Sequence, residues 1–368
     1  MKIAILHPFQ FRYKRGIERF TWSLIDALAS HHVEVGLYTW RWPHAVSWGA
    51  APSNLTLHQP PYFRYFMDRV AVPFTTVGLL RQRYDWVMLF FAGYGEADTI
   101  RLQRIFRKQR YCIVFHFPRE QVPYRYEEFR RSGLAARADH LIAVGSYVAQ
   151  GVEEEFERPC TVIENGVDAN EFVTSAETRT KARLVLEIPA DAPVLITLAA
   201  LEERKGIQWV IRAMPALLKE HPDLRYYVLG EGPHRGELEL EIAQAGVQNH
   251  VWLVGNVQAT TDVVSYLAAA DMGCLLSYGE AFPITLLEYM AMQLPSVTSL
   301  HPPFDELVED SYGKRVNERD TEAVVNVIHE LLINPEGQKR MGDAARARVL
   351  ARYTWSQIAD RYYHLLEQ

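Results

Sequence analysis

Along this chain, short runs of unbroken apolar residues alternate with longer stretches in which apolar positions recur every three or four residues. The first pattern is that of strands buried on both faces, and the second is that of amphipathic crossover helices; their alternation predicts parallel sheets. In the first half the apolar runs lie at 2–6, 33–38, 86–91, 112–115 and 140–144, with helical patterns over 17–30, 65–82, 99–108 and 147–156. A polar stretch at 163–172, holding the turn signal Asn165-Gly166, interrupts the series. It then resumes with strands at 194–198, 226–229, 251–254 and 272–276 and helices over 207–219, 237–245, 262–269 and from Pro283 onward. Two α/β units in tandem are expected, residues 1–167 and 168–353. The amphipathic 358–366, capped by Thr354 or Ser356, closes the chain as a helix of about 354–368 that packs back on the first unit.

At 368 residues the chain is long for one core, which agrees with two domains. No run approaches the roughly 20 apolar residues of a spanning helix, so none is expected. The N-terminal MKIAILHPF lacks the long apolar core and cleavage site of a secretory leader, and a cytoplasmic location is expected. Three cysteines, Cys112, Cys160 and Cys274, stand far apart in apolar contexts and are expected as buried thiols rather than a disulfide or zinc set. The net charge of -6 conceals +9 over residues 1–150 and -15 over 151–368. A basic first half suits a phosphorylated acceptor or an anionic membrane surface, and equally a solvated surface.

The segment with most chemical content is 279–288, Gly-Glu-Ala-Phe-Pro-Ile-Thr-Leu-Leu-Glu, placed after the last strand-like run of the second half. Pro283 suits a first helical turn, and the following amides of Ile284, Thr285 and Leu286 would project without intrahelical acceptors. Those donors at the positive end of a helix make a site for an anion such as phosphate. Glu280 before the helix and Glu288 inside it can straddle such a ligand and accept from hydroxyls. Taken alone, Glu288 is as readily a solvent-facing residue of an amphipathic helix. In the first half, Gly16 lies between the first strand and first helix, where a residue without Cβ lets a phosphate approach or simply makes the turn. Its neighbours Arg12, Lys14 and Arg15 could contact an anionic acceptor. His116 ends the run 111–115, at the edge of a parallel sheet where ligand crevices form, though a histidine there can also be purely structural.

In order along the chain, Arg15-Gly16-Ile17-Glu18-Arg19-Phe20, Glu164-Asn165-Gly166-Val167-Asp168, Lys205-Gly206, Gly230-Glu231-Gly232-Pro233 and Glu280 to Glu288 resemble the motifs of the retaining glycosyltransferases of family 4. These are the glycine loop, the NGVD segment, the KG and GxGP turns and the E-x7-E motif. The resemblance spans nearly the whole chain. It implies the GT-B fold, two Rossmann-like doubly wound domains facing a central cleft, with an acceptor-binding first domain and a donor-binding second one. It further implies transfer of a sugar from a nucleoside-diphosphate sugar with retention, without a protein nucleophile, cofactor or metal. Lys205 would neutralise the donor pyrophosphate, Glu280 would accept from a sugar hydroxyl and Glu288 from the ribose. Phe282, Pro283, Ile284, Thr285 and Leu286 would line the phosphates, backbone around Gly255 and Val257 would hold the base, and His116 would stand near donor sugar and acceptor, with Gly16 on the phosphate side.

One departure stands out. The family carries Arg five residues before that Lys, whereas this chain reads Ala199-Ala200-Leu201-Glu202-Glu203-Arg204-Lys205-Gly206. Either Arg204 replaces the missing guanidinium, or the chain is a weakly active nucleotide-sugar-binding subunit. The acceptor implied is a glycan, a glycolipid or a small soluble molecule, and polysaccharide or glycolipid assembly is the expected setting. The aromatic and basic stretches 62–82 and 99–110 read as packed helices with solvated Arg, and also leave peripheral contact with the inner face of a membrane open. No zinc-finger spacing, RNP-like motif or overall basic charge points to nucleic acid.

Overall fold

The computed structural model describes all residues except 8, 12–15, 43–44, 60–66, 91–98, 101–108 and 258–259, and only the backbone at 67–71 and 260. The chain divides into one unit made of Met1–Gly166 with Trp355–Gln368, and a second made of Val167–Thr354.

The first unit is built on a seven-stranded sheet of β1 (Lys2–Leu6), β2 (Glu34–Tyr38), β3 (Leu55–His58), β4 (Trp86–Leu89), β5 (Arg110–Phe115), β6 (His140–Ala143) and β7 (Thr161–Val162), ordered β3-β2-β1-β4-β5-β6-β7. Every pairing is parallel. The chain winds outward from β1 to β3 and then returns to lay β4 beside β1, so the exits of β1 and β4 form a topological switch point. Strands β1, β4 and β5 are nearly continuous apolar runs because helices cover both faces of a parallel sheet. The closing helix Trp355–Glu367 belongs to this unit: it buries Ile358, Ala359, Tyr362 and Leu366, spaced to make one face. Its ends are tied by polar groups, with Trp86 Nε1 donating to Leu366 O at 2.7 Å, Arg361 pairing with Glu164 and donating to Val162 O at 2.7 Å, and His31 Nε2 lying 2.7 Å from Asp360 Oδ1. Thr354 immediately precedes this helix, whereas Ser356 lies inside it.

The second unit repeats the plan with six parallel strands, β8 (Val194–Leu198), β9 (Arg225–Leu229), β10 (Val251–Gly255), β11 (Met272–Leu275), β12 (Ser296–Ser299) and β13 (Gly313–Val316), in the order β10-β9-β8-β11-β12-β13. Its switch point lies at the exits of β8 and β11. Helix Ile207–Glu220 shows why the sequence packs this way: Ile207, Val210, Ile211, Met214 and Leu217 recur at helical spacing and enter one core with Leu195, Tyr226, Val228 and Cys274 from the strands.

Strands β3, β7, β12 and β13, and helices including Pro123–Ser132, Ala176–Val185, Thr321–Leu332 and Pro335–Arg352, go beyond the elements the apolar pattern marked. β12 is instructive, because Ser296, Thr298 and Ser299 are buried although their types are polar. The pattern over 99–108 falls mostly outside the described residues, as do the aromatic residues at 62–66. Cys112 and Cys274 are buried thiols, but Cys160, just before the short β7, is half-buried rather than interior. Among the described residues no helix is long and apolar enough to cross a membrane.

Candidate active site

In the second unit, two loops meet at the switch point. After β8 the chain passes residues 199–202 into a single 3-10 turn, Glu203–Lys205, that ends on Gly206 with φ of 70°. A Cβ on Gly206 would fall 2.0 Å from Leu276 O, so a glycine is needed for the turn to dock on the exit of β11. Tyr278 N–H completes the join by donating to Arg204 O at 2.9 Å. From the other side the turn 230–233 clasps the same loop. Gly230, with φ of 145°, lies where a Cβ would sit 1.9 Å from Ala199 O, Leu201 N–H donates to Glu231 O and His234 N–H donates to Leu201 O. The backbone at Ala200, Arg204 and Lys205 is therefore held by hydrogen bonds on both sides.

These clamps bring three charges together. Lys205 Nζ is 2.5 Å from Glu280 Oε1, and Arg204 Nη1 is 3.7 Å from the same oxygen while its Nε donates to Glu202 Oε2 at 2.8 Å. Glu280 is only 8% exposed. Burial alone would push its carboxyl up, but the Lys205 and Arg204 cations outweigh that and hold it below the ordinary carboxylate value. The buried carboxylate keeps its charge because two cations face it. Arg204, four residues beyond Ala200 in the same loop, is thus the guanidinium that approaches Glu280.

The helix Ile284–Ala291 begins four residues beyond Glu280, with Pro283 as its N-cap at φ of -74° and ψ of 113°. Proline precedes the first turn rather than standing inside it. Leu286 N–H donates to Pro283 O at 3.1 Å, so it is not one of the projecting donors the sequence pattern pointed to. Among the described residues the amides of Ile284 and Thr285 have no acceptor, and they remain as the pair aimed out of the helix start. Thr285 Oγ1 donates to Leu198 O at 3.2 Å and pins the helix start to the sheet, while Phe282 is buried against the ring of Tyr353, which caps helix Pro335–Arg352, centroids 5.7 Å apart. Glu288 is 1% exposed, so a solvent-facing role on an amphipathic helix does not apply to it. Gly255 ends β10 with φ of 91°, and its carbonyl accepts from Gly230 N–H at 2.8 Å. Val257 follows, half-buried.

In the first unit, the switch point holds histidines rather than an ion pair. His116 follows β5, is 7% exposed, and is met by the edges or faces of Phe20 and Phe90 at centroid distances of 4.7 and 5.5 Å. Its Nε2 has no hydrogen-bond partner among the described residues. Burial, with a smaller contribution from His7, pushes its imidazole down to about 3. His7, at the exit of β1, is 1% exposed and pushed down to about 4 by burial. Its Nδ1 lies 2.9 Å from Gln10 Oε1 and 3.1 Å from Thr21 Oγ1, and Gln10 Nε2 donates to Glu18 O at 2.9 Å. Sequence reasoning passed over His7, Gln10 and Thr21. The available signal was that His7, like His116, ends an apolar run. Gly16 opens helix Gly16–Leu28 with no left-handed φ, and among the described residues nothing lies within 4 Å of a Cβ position there. Arg12, Lys14 and Arg15 lie outside the described residues.

Of the sequence-marked residues, Arg204, Lys205, Glu280, Phe282, Pro283, Ile284, Thr285, Leu286 and Glu288 gather at one switch point, and Gly255 is joined to it through Gly230. His116 and Gly16 belong to the other unit. Among the described residues no three His, Cys, Asp or Glu side chains are grouped as metal ligands would be.

Residues 178–348 match the family model of glycosyl transferases group 1, and residues 14–171 match that of glycosyltransferase family 4. A GDP-mannose-dependent monoacylated alpha-(1-6)-phosphatidylinositol monomannoside mannosyltransferase of Corynebacterium glutamicum is 26% identical over 67% of this chain and 66% of its own length, just under two thirds. The lipopolysaccharide core biosynthesis glycosyltransferase LpsE of Rhizobium meliloti is 24% identical over 97% of both chains. Among solved structures, Anabaena Alr3699/HepE in complex with UDP aligns over 100% of each chain with a TM-score of 0.81 at 19% identity.

Proposed function

This chain belongs to the glycosyl transferases of group 1, its first half being of the family 4 type, and from that premise we propose that it moves a sugar from a nucleoside-diphosphate sugar to an acceptor hydroxyl with retention of anomeric configuration. The observation that carries this reading is the set of Lys205, Arg204 and Glu280 at the β8/β11 switch point, ahead of a helix start with two unacceptored amides. Cations and amide donors suit a diphosphate, while a charged carboxylate beside them suits a sugar hydroxyl.

In this proposal the diphosphate takes Lys205 and the Ile284 and Thr285 amides, releasing Glu280 to accept from the donor sugar. Glu288 serves the ribose, and backbone at 255–257 serves the base. The glycosidic carbon exchanges its bond to the leaving phosphate oxygen for one to the acceptor oxygen on the same face, and the acceptor proton passes to that phosphate. Negative charge grows on the leaving group, where Lys205 and Arg204 stand to stabilise it. Such a site works by position and electrostatics and needs no protein nucleophile, cofactor or metal. The neutral, buried His116 of the first unit serves as a hydrogen-bonding partner of sugar or acceptor rather than as a cation. With relatives whose names place them in glycolipid and lipopolysaccharide synthesis, the setting we infer is glycolipid or polysaccharide assembly on the cytoplasmic side of a membrane.

The test is to incubate the protein with UDP-, GDP- and ADP-sugars, measuring nucleoside diphosphate release and the melting temperature. One nucleotide family should raise the melting temperature and turn over, and Glu280→Ala should abolish turnover. A melting shift without nucleoside diphosphate release, even with saccharide and glycolipid acceptors supplied, would instead favour the binding-subunit alternative that Ala200 raises. Neither shift nor turnover with any nucleotide would overturn both.

A further inference from the structure

The exits of β1 and β2 in the first unit carry an unusual concentration of aromatic rings. Four of the eight tryptophans, Trp22, Trp40, Trp42 and Trp48, fall within residues 22–48. They join Phe9 and Phe11 in one set of contacts: Phe9 meets Trp40 at 5.4 Å and Trp42 at 5.7 Å, Phe11 meets Trp22 at 6.0 Å, and Trp22 meets Trp48 at 6.1 Å with planes 30° apart. Trp40 and Trp42 form the floor, 5% and 9% exposed, and Phe11 packs on them. Phe11, Trp22 and Trp48 are half-buried, so each residue keeps some exposed surface. Backbone bonds hold the two loops to each other, with Val46 N–H donating to Phe11 O at 2.9 Å and Trp48 Nε1 donating to Gln10 O at 3.2 Å.

The shelf runs directly into the buried polar group of this unit. Gln10, which takes the Trp48 indole on its carbonyl, holds His7 with its side chain, and His7 and His116 both contact the Phe90 ring. The loop that carries the rings is therefore anchored by a buried polar network, with Gln10 0% and His7 1% exposed. Aromatic faces are apolar but carry negative charge density, which suits the C–H face of a pyranose, while its equatorial edge is left for hydrogen bonds. A lipid surface is a poorer fit. Rings that anchor in a bilayer stand clear with their polar tips wet, whereas these lie against each other and the Trp48 N–H is committed to Gln10.

We propose that Phe11, Trp22 and Trp48 form an acceptor subsite that takes a pyranose ring, so that the acceptor is itself a saccharide. The word acceptor rests on the transferase reading; the saccharide site stands by itself. The test is tryptophan fluorescence of the full chain, without nucleotide, titrated with the methyl pyranosides of mannose, glucose and galactose, with N-acetylglucosamine and cellobiose, and with mannitol and phosphatidylglycerol vesicles as controls. At least one pyranoside should give a saturable change, weakened tenfold or more in Trp22→Ala and Trp48→Ala and largely recovered in Trp22→Phe. The melting shift caused by nucleotide should be the same in all variants. If Trp48→Ala fails to fold by circular dichroism, the Trp22→Ala and Trp22→Phe pair carries the test. No response to any pyranoside, a response unchanged in the alanine variants, or a response to mannitol or vesicles in their place would overturn the proposal. Nucleotide shifts that persist in that case leave the transferase reading standing, whereas their loss in the native chain sinks that reading separately.

Discussion

The two units share one plan, a parallel sheet with a switch point between its first strand and the strand that returns beside it, yet they handle ionisable groups at that point in opposite ways. In the second unit the buried Glu280 stays charged because Lys205 lies 2.5 Å away and Arg204 3.7 Å away. In the first, His116 and His7 are buried among aromatic rings and neutral amide and hydroxyl partners, and both lose their charge. Burial disfavours charge in both places, and the sign and number of neighbours decide whether it survives. In the proposals made above, the charged exit takes the anionic donor and the neutral one the hydroxyl-rich acceptor.

The largest way to break this contrast is to remove the cation. Lys205→Met leaves Glu280 buried with Arg204 alone, so its carboxyl should rise, and transfer should fall by about 10²–10³-fold as charge stabilisation of the leaving diphosphate is lost. Steady-state rates at saturating donor would check it; a loss under threefold would show that Lys205 does not serve the reaction. Next comes the scaffold that aims these charges: Gly230→Ala forces a Cβ to within 1.9 Å of Ala199 O at a left-handed φ. It should cost roughly 2–4 kcal/mol by denaturant unfolding, whereas Gly16→Ala, whose Cβ meets open space, should stay within about 1 kcal/mol.

The pH dependence of stability separates the two kinds of buried group. His7 and His116 are held neutral in the folded protein but take protons near the ordinary 6.5 when unfolded. Their contribution is therefore whole above about 6.5 and is lost as pH falls toward 4 and 3. Glu280, held low, contributes above its unfolded value of 4.5 and loses that contribution only as pH drops further. Between 6.5 and 4.5 the acid loss should come from histidines, and His116→Asn should flatten it by up to about 1.4 kcal/mol per pH unit. Equal slopes in the native and variant proteins would remove the contrast. The smallest effect sharpens it: if Arg204 supplies the guanidinium, Ala200→Arg should change the rate by less than about threefold, while Arg204→Ala should lower it by about tenfold or more.

Much of this was legible in the chain because burial on two faces demands unbroken apolar runs. β1, β8 and β9 stood out for that reason, and so did the helices over 207–220 and 284–291 that follow switch-point loops. β12 and β13 were not legible, since Ser296-Val297-Thr298-Ser299 and Gly313-Lys314-Arg315-Val316 are strands by virtue of their neighbours. Among site residues, the Glu280 and Lys205 positions could be marked from motif spacing, but 75 residues separate them and nothing local predicts that they share a bond. His7 and Gln10 escaped notice although His7, like His116, ends an apolar run, because nothing local shows that Gln10 and Thr21 will bond to it.

By itself, then, the sequence determined the class of fold and the alternation of strands and crossover helices, whereas the collisions that a Cβ would meet at Gly206 and Gly230 came only with the structure. Only the tertiary structure decided which charges meet, that Leu286 N–H is spent on Pro283 O while those of Ile284 and Thr285 are not, and that Glu288 is buried. The reason is physical. Periodicity records how each segment faces a core, whereas protonation and hydrogen bonding depend on distances of a few ångströms between residues far apart in the chain, set when the sheet brings its strand exits together.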